Sequence, residues 1–239
     1  MDLICDERPS DSPFIERVWR SLSEQDAAPF ISMAEAHCGL VITKSNDKTF
    51  LTVRGPETRA TPAVSRAGAE FIGITFKPGV FLPNLPAQMI MDRRDVTLPD
   101  AESRSFWLSG FAWQYPDYEN ADTFVNCLAR AGLLVYDPIV TALEKGHPVQ
   151  MSERTLQRRF LQATGLTYGA ARQIERARYA TALLKQGVSI LDTLYSAGYY
   201  DQPHLTRSLK HYIGLTPAQI MDSARPEVLS FLYKTTPSG

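Results

Sequence analysis

Short runs of β-branched and aromatic residues, separated by polar turns, characterise the first 118 residues. The runs 39–44 and 49–54 flank a polar segment at 45–48, and this arrangement predicts a β-hairpin. The run 70–81 predicts another strand that ends at Pro78-Gly79. Prolines recur at positions 56, 62, 78, 83, 86 and 99. Because they divide this half into short strands and loops, a small β-barrel or β-sandwich is expected.

Apolar residues recur at helical spacing after about residue 119. Asn120 or Asp122 can cap a first helix. Its predicted apolar face consists of Phe124, Leu128, Ala131 and Val135. Asp137 followed by Pro138 predicts a second helix that ends near Lys145, because Asp is a favoured N-cap and Pro a favoured first residue.

Four longer helical segments and a short final helix are expected after residue 151. Ser152 and Asp201 are suited to capping helices, and Gly198 is suited to a tight turn. The expected segments are 152 to about 165, 169–186, 190–197, a helix capped by Asp201, and a short helix that opens at Thr216-Pro217. The segment 169–186 would be ~26 Å long at ~1.5 Å per residue.

Twelve residues occur twice in the same pattern. Residues 156–167 align without a gap on residues 205–216, which lie 49 positions further along the chain. Leu, Arg and the closing Gly-Leu-Thr occupy matching places in both copies. A duplicated helix held by a connector can present two similar surfaces to adjacent segments of the DNA major groove. The repeat therefore predicts binding to double-stranded DNA.

Each repeated helix has an apolar face and a polar face. The positions expected to face the core are Leu156, Phe160, Leu205, Leu209 and Tyr212. The outer face then carries Arg154, Gln157, Arg158 and Leu161 in the first helix, and Gln202, His204, Thr206, Arg207 and Lys210 in the second. Gln pairs bidentately with adenine and Arg with guanine, so these faces suit base reading. The alternative is an ordinary solvated charged face, and the duplication favours DNA contact.

The charge distribution supports this interpretation, although the net charge of −1 does not. Residues 1–136 carry 13 Lys and Arg against 18 Asp and Glu. Residues 152–213 carry nine basic residues against four acidic ones. An acidic half joined to a basic half is expected when only the second meets phosphate.

Several spaced motifs resemble those of the AraC/XylS transcriptional regulators. They are Ser152-Glu-Arg-Thr-Leu-Gln-Arg-Arg-Phe, Arg176-xxx-Ala180-xx-Leu183-Leu184, Ser189-Ile190 and Gly198-Tyr-Tyr-Asp-Gln-Pro-His-Leu-Thr-Arg-Ser-Leu-Lys with Gly214-Leu-Thr-Pro. The match covers roughly residues 152–221, and the motifs agree in order. The resemblance implies two helix-turn-helix units, joined by the helix 169–186, whose recognition helices enter successive turns of one groove.

The resemblance also assigns roles to individual positions. It places Arg154, Gln157 and Arg158 at the DNA-contacting positions of the first unit, and Gln202, Pro203, His204, Thr206 and Arg207 at those of the second. Thr155, within the first motif, is a further candidate. The sequence departs from the family at Thr193-Leu194, where Ile-Ala is usual, and at Leu209, where Phe is usual. The segment 146–151 is too short for the expected scaffold helix, so the helix at 137–145 is expected to take that role.

The first half resembles the sensor domains of a subgroup of these regulators. The resemblance is carried by Gly73-Ile-Thr-Phe-Lys-Pro-Gly79 and by Phe106-Trp107 with Trp113. It implies a small cupin-like β domain that binds an effector or mediates association. Phe76, Trp107 and Trp113 are candidates for lining an effector pocket, and the alternative is that they are ordinary core residues.

The expected fold is therefore α+β. A β-rich regulatory domain (1–118) precedes a helical linker and scaffold (119–147), an all-α DNA-binding domain (148–224) and a C-terminal tail (225–239). The expected function is that of a bacterial transcription regulator, with an effector or homodimerisation altering DNA affinity or contact with RNA polymerase. The alternatives are a ligand-independent regulator whose first half only dimerises, and an enzyme domain fused to a DNA-binding module.

Composition and motifs argue against catalysis, a bound metal, disulfide bonds and export. No nucleophile elbow, Walker loop or dinucleotide fingerprint occurs, so neither catalysis nor a cofactor is expected. Among the four histidines only His37 lies in the β-rich half, so no metal is expected. Cys5, Cys38 and Cys127 are scattered and odd in number, which fits free thiols in a reducing cytoplasm. No export signal or membrane span is apparent, so a cytoplasmic location is expected.

Overall fold

A computed structural model of the chain describes residues 4–22, 29–64, 68–92, 94–102 and 104–222. The strands are β1 Ile4–Pro9, β2 Ile15–Leu22, β3 Pro29–Ser32, β4 Gly39–Ser45, β5 Lys48–Arg54, β6 Thr61–Val64, β7 Glu70–Phe76, β8 Val80–Phe81, β9 Val96–Thr97, β10 Ser105–Leu108, β11 Phe111–Gln114 and β12 Val135–Tyr136. The helices are α1 Ala121–Arg130, α2 Pro138–Glu144, α3 Glu153–Thr164, α4 Tyr168–Lys185, α5 Ile190–Ser196, α6 Gln202–Tyr212 and α7 Pro217–Met221, with a 3₁₀ turn at Ala87–Met89. The α+β class is confirmed.

Six strands form an antiparallel sheet in the order β1-β2-β7-β4-β5-β9. The predicted hairpin is β4–β5, and its turn residues Asn46 and Asp47 have φ values of 49° and 59°. Asn and Asp tolerate this left-handed conformation, which a tight two-residue hairpin turn requires. β1 and β9 are the sheet edges, so the described strands form an open sheet and the closed-barrel alternative is not met. Three two-stranded sheets accompany it: β3–β6, β8–β12 and β10–β11.

The core of the β-rich half lies between the main sheet and α1. Alternate residues of the strands face it, including Ile15, Val18, Leu40, Ile42, Leu51, Val53, Ile72 and Ile74. The apolar face of α1 contributes Phe124, Val125 and Leu128. β4 and β5 bury alternate side chains because successive residues of a strand point to opposite faces, whereas the central strand β7 is buried at every position from Ile72 to Phe76.

The predicted apolar face of α1 is wrong beyond Leu128. The helix ends at Arg130, Ala131 is exposed, and Val135 lies in β12 opposite Phe81. Gly132 has a φ of 71°, a left-handed conformation that commonly ends helices. Ala131 and Val135 have helical spacing in the sequence, but the helix ends before both of them.

The repeat in the sequence is a repeat in the structure. Ser152 and Asp201, 49 residues apart, are the N-caps of α3 and α6. Gly165 and Gly214 follow the two helices with φ values of 75° and 86°. Thr167 then caps α4, and Thr216 caps α7. Each repeat unit is a capped helix, a left-handed glycine and a second cap.

The β3–β4 and β5–β6 connections join the two halves. The Ala34 N–H donates to the carbonyl of Tyr212 at 2.8 Å, and the Ala60 N–H donates to that of His211 at 2.9 Å. Both acceptors lie at the C-terminal end of α6, where helix carbonyls have no partner within the helix. Met33 is 3% exposed and belongs to the apolar cluster of α4, α5 and α6. The β-rich half therefore completes the packing of the helical half.

No helix within the described ranges is both long and apolar enough to cross a bilayer.

Candidate nucleic-acid interface

The first repeated helix, α3, presents a basic outer surface. Ser152 caps it by accepting a hydrogen bond from the Thr155 N–H at 3.4 Å, and the hydroxyls of the two residues are 2.9 Å apart. Arg154, Gln157 and Arg158 are exposed, as predicted from the spacing. Phe160, Ala163 and Thr164 are buried on the opposite side. Burial of one face thus fixes which side of α3 faces solvent.

A groove runs along the exposed side of α3. It is lined by Leu143, Glu153, Arg154, Leu156, Gln157, Arg158, Phe160, Leu161, Thr167, Tyr168 and Gly169. Leu156 is half-buried at this groove, whereas the sequence analysis placed it in the core with Phe160. The Gln157 amide donates to the Glu153 carboxylate at 3.0 Å, so its other groups remain available for an outside contact.

The second repeated helix, α6, presents the matching surface. Asp201 caps it by accepting from the His204 N–H at 2.6 Å, and Pro203 lies in the first turn, where a missing N–H costs nothing. Leu205 and Leu209 of the predicted core face are fully buried, and Tyr212 is half-buried against the same apolar cluster. The exposed residues of the predicted set are Gln202, Pro203, Arg207 and Lys210, and His204 and Thr206 are half-buried.

Contacts from α4 and from the turn before α6 hold that helix in place. The Tyr199 hydroxyl lies 2.9 Å from that of Ser208 in α6, in a buried position. Arg176 of α4 stacks on the Tyr199 ring at 4.3 Å and donates to the Gly198 carbonyl at 3.4 Å. The His204 ring meets Tyr199 edge-on at 5.1 Å. Arg176 therefore serves to position α6, since its guanidinium faces the protein.

The neighbouring arginine on α3 is also engaged within the protein. Arg159 pairs with Asp137, the N-cap of α2, through two hydrogen bonds of 2.8 and 2.9 Å. Val140 of α2 is buried in the same apolar cluster as Phe160 of α3. α2 thus packs on α3 in the way expected of a scaffold helix, despite the long connection 145–152.

The aromatic candidates for an effector pocket do not come together. Phe76 is fully buried in the β core, Trp113 is half-buried against Phe124, and the Trp107 side chain is 46% exposed. A cavity of about 50 Å³ does lie in the β-rich half. Its lining consists of Trp19, Ser32, Met33, Glu35, His37, Cys38, Gly39, Leu40, Val41, Arg54, Gly55, Glu57, Ile74 and Thr75. The lining of this cavity includes none of Phe76, Trp107 and Trp113, and an effector-binding role for these three residues remains a prediction.

Charged residues cluster where the β3–β4 connection meets α4. Glu35 pairs with Arg178 of α4 at 3.0 Å and with Arg17 of β2 at 3.4 Å. Burial alone would raise the pKa of Glu35, but Arg178, His37 and Arg17 together hold it well below its usual value. Burial alone would lower the pKa of His37, but the Glu35 carboxylate raises it to about 9. Burial raises the pKa of Glu144, at the end of α2, to about 7.

Comparison with known proteins identifies the helical region. Residues 147–223 match the family model described as a helix-turn-helix domain. These residues therefore form a helix-turn-helix domain. The chain is 36% identical over 92 residues to the HTH-type transcriptional regulator RipA of Corynebacterium glutamicum. That match covers 38% of this chain and 28% of the length of the curated relative.

Two solved structures show weak similarity to this chain over most of its length. One is ToxT from Vibrio cholerae O395 bound to (E)-4-(8-methylnaphthalen-1-yl)but-3-enoic acid, with a TM-score of 0.38 and 11% identity. The other is a second ToxT structure from Vibrio cholerae, with a TM-score of 0.32 and 10% identity. Each alignment covers 92% of this chain and 97% of the ToxT chain.

Two features of the helix-turn-helix domain were not predicted from the sequence. Tyr200, in the turn between α5 and α6, is 90% exposed directly beside the second repeated helix. The cluster of Glu35, His37 and Glu175 joins the domain to the β-rich half. A tyrosine before an N-cap is a detectable local signal, whereas the cluster unites residues about 140 positions apart and leaves no local pattern.

Proposed function

We propose that this chain is a bacterial transcription regulator that binds specific DNA sequences through α3 and α6. The observation that carries the proposal is the exposure of Arg158 and Arg207 at equivalent places in two identically capped helices joined by α4. Eighteen residues at ~1.5 Å each make α4 about 27 Å long, a length that suits a spacer between two units reading one face of a duplex.

The exposed side chains divide into two kinds of contact. Arg158, Arg207, Gln157 and Gln202 have the donor geometry that reads guanine and adenine edges in the major groove. Arg154 and Lys210 suit phosphate contacts, which fix the register of the protein on the duplex. The N-termini of α3 and α6 also direct free N–H groups outward, although the charge of Asp201 opposes an approaching phosphate. Thr155, Pro203, His204 and Thr206 complete the proposed surface.

For the β-rich half we propose a regulatory role exerted through the C-terminal end of α6. Support comes from the hydrogen bonds that Ala34 and Ala60 donate to carbonyls of α6. A small-molecule effector in this half would then alter DNA affinity or contact with RNA polymerase. A second candidate, homodimerisation through this half, is favoured by Trp107 and Phe111 on the β10–β11 hairpin, which are 46% and 66% exposed.

The DNA-binding proposal is tested with the full-length chain and duplexes selected from a random library. We expect the log of the affinity for the selected duplex to fall linearly with the log of the salt concentration. Arg158→Ala and Arg207→Ala should each weaken binding by about 1–3 kcal/mol, because each removes one bidentate base contact. A second selection with each variant should lose preference at one base position.

Arg130→Ala is the matched control, because Arg130 is an exposed arginine in the last turn of α1. Its affinity for the selected duplex should equal that of the unmodified chain. If Arg158→Ala and Arg207→Ala bind as tightly as the control variant, or if the library yields no preferred sequence, the proposal is wrong.

A further inference from the structure

Three potential metal ligands from the two halves of the chain converge at their junction. Glu35 and His37 lie on the β3–β4 connection, and Glu175 lies on α4. One donor atom from each residue lies within 4.8 Å of the donor atoms of the other two. The set consists of one imidazole and two carboxylates, and it bridges the β-rich half and the helix-turn-helix domain.

The hydrogen bonds of Glu35 orient its two oxygens differently. Oε2 accepts from the Arg17 guanidinium at 3.4 Å and forms an ion pair with Arg178 at 3.0 Å. Oε1 accepts from the Ala36 N–H at 3.1 Å and lies 3.2 Å from Nδ1 of His37. The arginines therefore fix the carboxylate from one side and leave Oε1 directed at the imidazole, an arrangement that supports a metal ligand from behind.

The imidazole itself is incompletely satisfied. Nδ1 of His37 is buried and has no well-aligned hydrogen-bond partner among the described residues, although Oε1 of Glu35 is close by. Nδ1 thus contacts the carboxylate without a well-aligned hydrogen bond, and a buried polar atom in poor geometry costs free energy. A cation between Nδ1, Oε1 and the Glu175 carboxylate would satisfy it.

Further carboxylates surround the three residues. Glu144 at the end of α2 interacts electrostatically with His37 and with Glu175, and Glu16 of β2 interacts with Glu144. These carboxylates favour a cation at the cluster, whereas the guanidiniums of Arg17 and Arg178 oppose it.

The junction is also open to ions from outside. Glu175 is 46% exposed, and together with Glu144 it lines an open groove along α4. Glu35 and His37 line the small cavity on the other side of the cluster. An ion entering from the groove would meet Glu175 first and the buried pair afterwards.

We propose that Glu35, His37 and Glu175 bind one divalent cation of the first transition row, such as Zn²⁺. Imidazole nitrogen is a ligand that zinc, iron and nickel accept, whereas Mg²⁺ and Ca²⁺ prefer oxygen alone. Binding releases the proton from His37, because only the neutral ring coordinates. Since the ligands come from both halves, the ion ties the β3–β4 connection to α4.

The test uses the full-length chain after treatment with a chelator. Zn²⁺ alone is titrated by calorimetry, and Co²⁺ is added separately to record its visible absorption. We expect one equivalent of Zn²⁺ to bind, with a rise in the melting temperature, and Co²⁺ to show ligand-field bands. Glu175→Gln and His37→Gln should each lower the Zn²⁺ affinity at least about tenfold, since outer-shell changes alone cost 10–100-fold.

Glu119→Gln, which removes an exposed carboxylate just before α1, is the control and should leave Zn²⁺ binding unchanged. Glu175 is partly exposed on a helix, so Glu175→Gln should keep its fold, as judged by circular dichroism, even if His37→Gln does not. The proposal is overturned if Zn²⁺ does not bind or if Glu175→Gln binds it as tightly as the control. It is equally overturned if Mg²⁺ raises the melting temperature as much as Zn²⁺, because the imidazole would then have no role.

Discussion

Two cysteines of this chain acquire different chemistry from their positions. Cys38 is buried beside the charged cluster, whereas Cys127 is exposed on α1. Burial, with a contribution from Glu35, raises the pKa of the Cys38 thiol to about 12. The thiolate is the reactive form, so Cys38 should be inert in the folded chain at neutral pH.

Alkylation kinetics check this expectation. In a Cys5→Ser background at pH 8, iodoacetamide should modify Cys127 quickly and Cys38 only as fast as the chain unfolds. The difference should vanish in denaturant, where both thiols are equivalent, and peptide mapping gives the two rates. Equal modification rates of the two thiols in the native chain would show that Cys38 is accessible to solvent and contradict this expectation.

The DNA-facing side chains show what a sequence can and cannot reveal about a site. Arg158 and Arg207 could be singled out because a repeat marks equivalent positions and helical spacing separates core from surface. The different engagement of Arg159 could not be foreseen, because its partner Asp137 lies outside the repeat. His37 is the clearest case, because a single histidine in the β-rich half predicts no metal site, and Glu175 of the proposed site comes from α4.

Helix ends were predictable wherever a cap or a left-handed glycine marks them. Ser152, Thr167, Ser189, Asp201 and Thr216 all cap helices through their side chains, and each bond is local in sequence. α1 is the exception, because the apolar spacing of Ala131 and Val135 predicts a helix that runs past Gly132, the left-handed glycine that follows its end. Its cap residue Asn120 makes no side-chain capping bond and instead accepts from the Asp117 N–H at 2.9 Å.

The glycines after α3 and α4 provide a test of how closely α3 approaches the β-rich half. Gly165 and Gly187 have φ values of 75° and 83°. A Cβ at Gly165 would lie 2.9 Å from the backbone carbon of Ala87, whereas a Cβ at Gly187 would meet nothing within 4 Å. Both substitutions to Ala should cost about 1–2 kcal/mol for the left-handed backbone. Gly165→Ala should cost roughly 1–3 kcal/mol more, because a rigid backbone segment must move.

Urea denaturation of the two variants measures the difference in the free energy of unfolding. Gly187→Ala is the control for the backbone cost alone. Equal destabilisation by the two substitutions would mean that the 3₁₀ turn at Ala87–Met89 does not pack against the end of α3.

Across the whole chain, the β-rich half supplies core residues to the helical half. Met33 is 3% exposed within the apolar cluster of α4, α5 and α6, whereas Met89 is 68% exposed. Met33→Ala should therefore destabilise the chain by about 2–5 kcal/mol, through a cavity in the helical half. Met89→Ala, the matched control, should change the stability by less than about 0.5 kcal/mol. Both values follow from chemical denaturation monitored by tryptophan fluorescence.

The outcome at Met33 also tests whether the two halves are coupled. If Met33→Ala is as stable as Met89→Ala, the β3–β4 connection does not pack among the helices in solution. The sequence could not have predicted this packing, because Met33 lies in the β-rich half with no local pattern to separate it from a residue of the β core. Fold class and the order of the elements follow from local signals, whereas the contacts between halves depend on positions about 180 residues apart.

The main-chain hydrogen bonds from Ala34 and Ala60 to the end of α6 have a consequence for how such a chain can evolve. Every amino acid except proline brings the same amide group to positions 34 and 60. Homologous chains can therefore exchange nearby side chains of the β-rich half while keeping its main-chain attachment to α6. Side chains of the β-rich half can therefore change without loss of the backbone hydrogen bonds that hold α6.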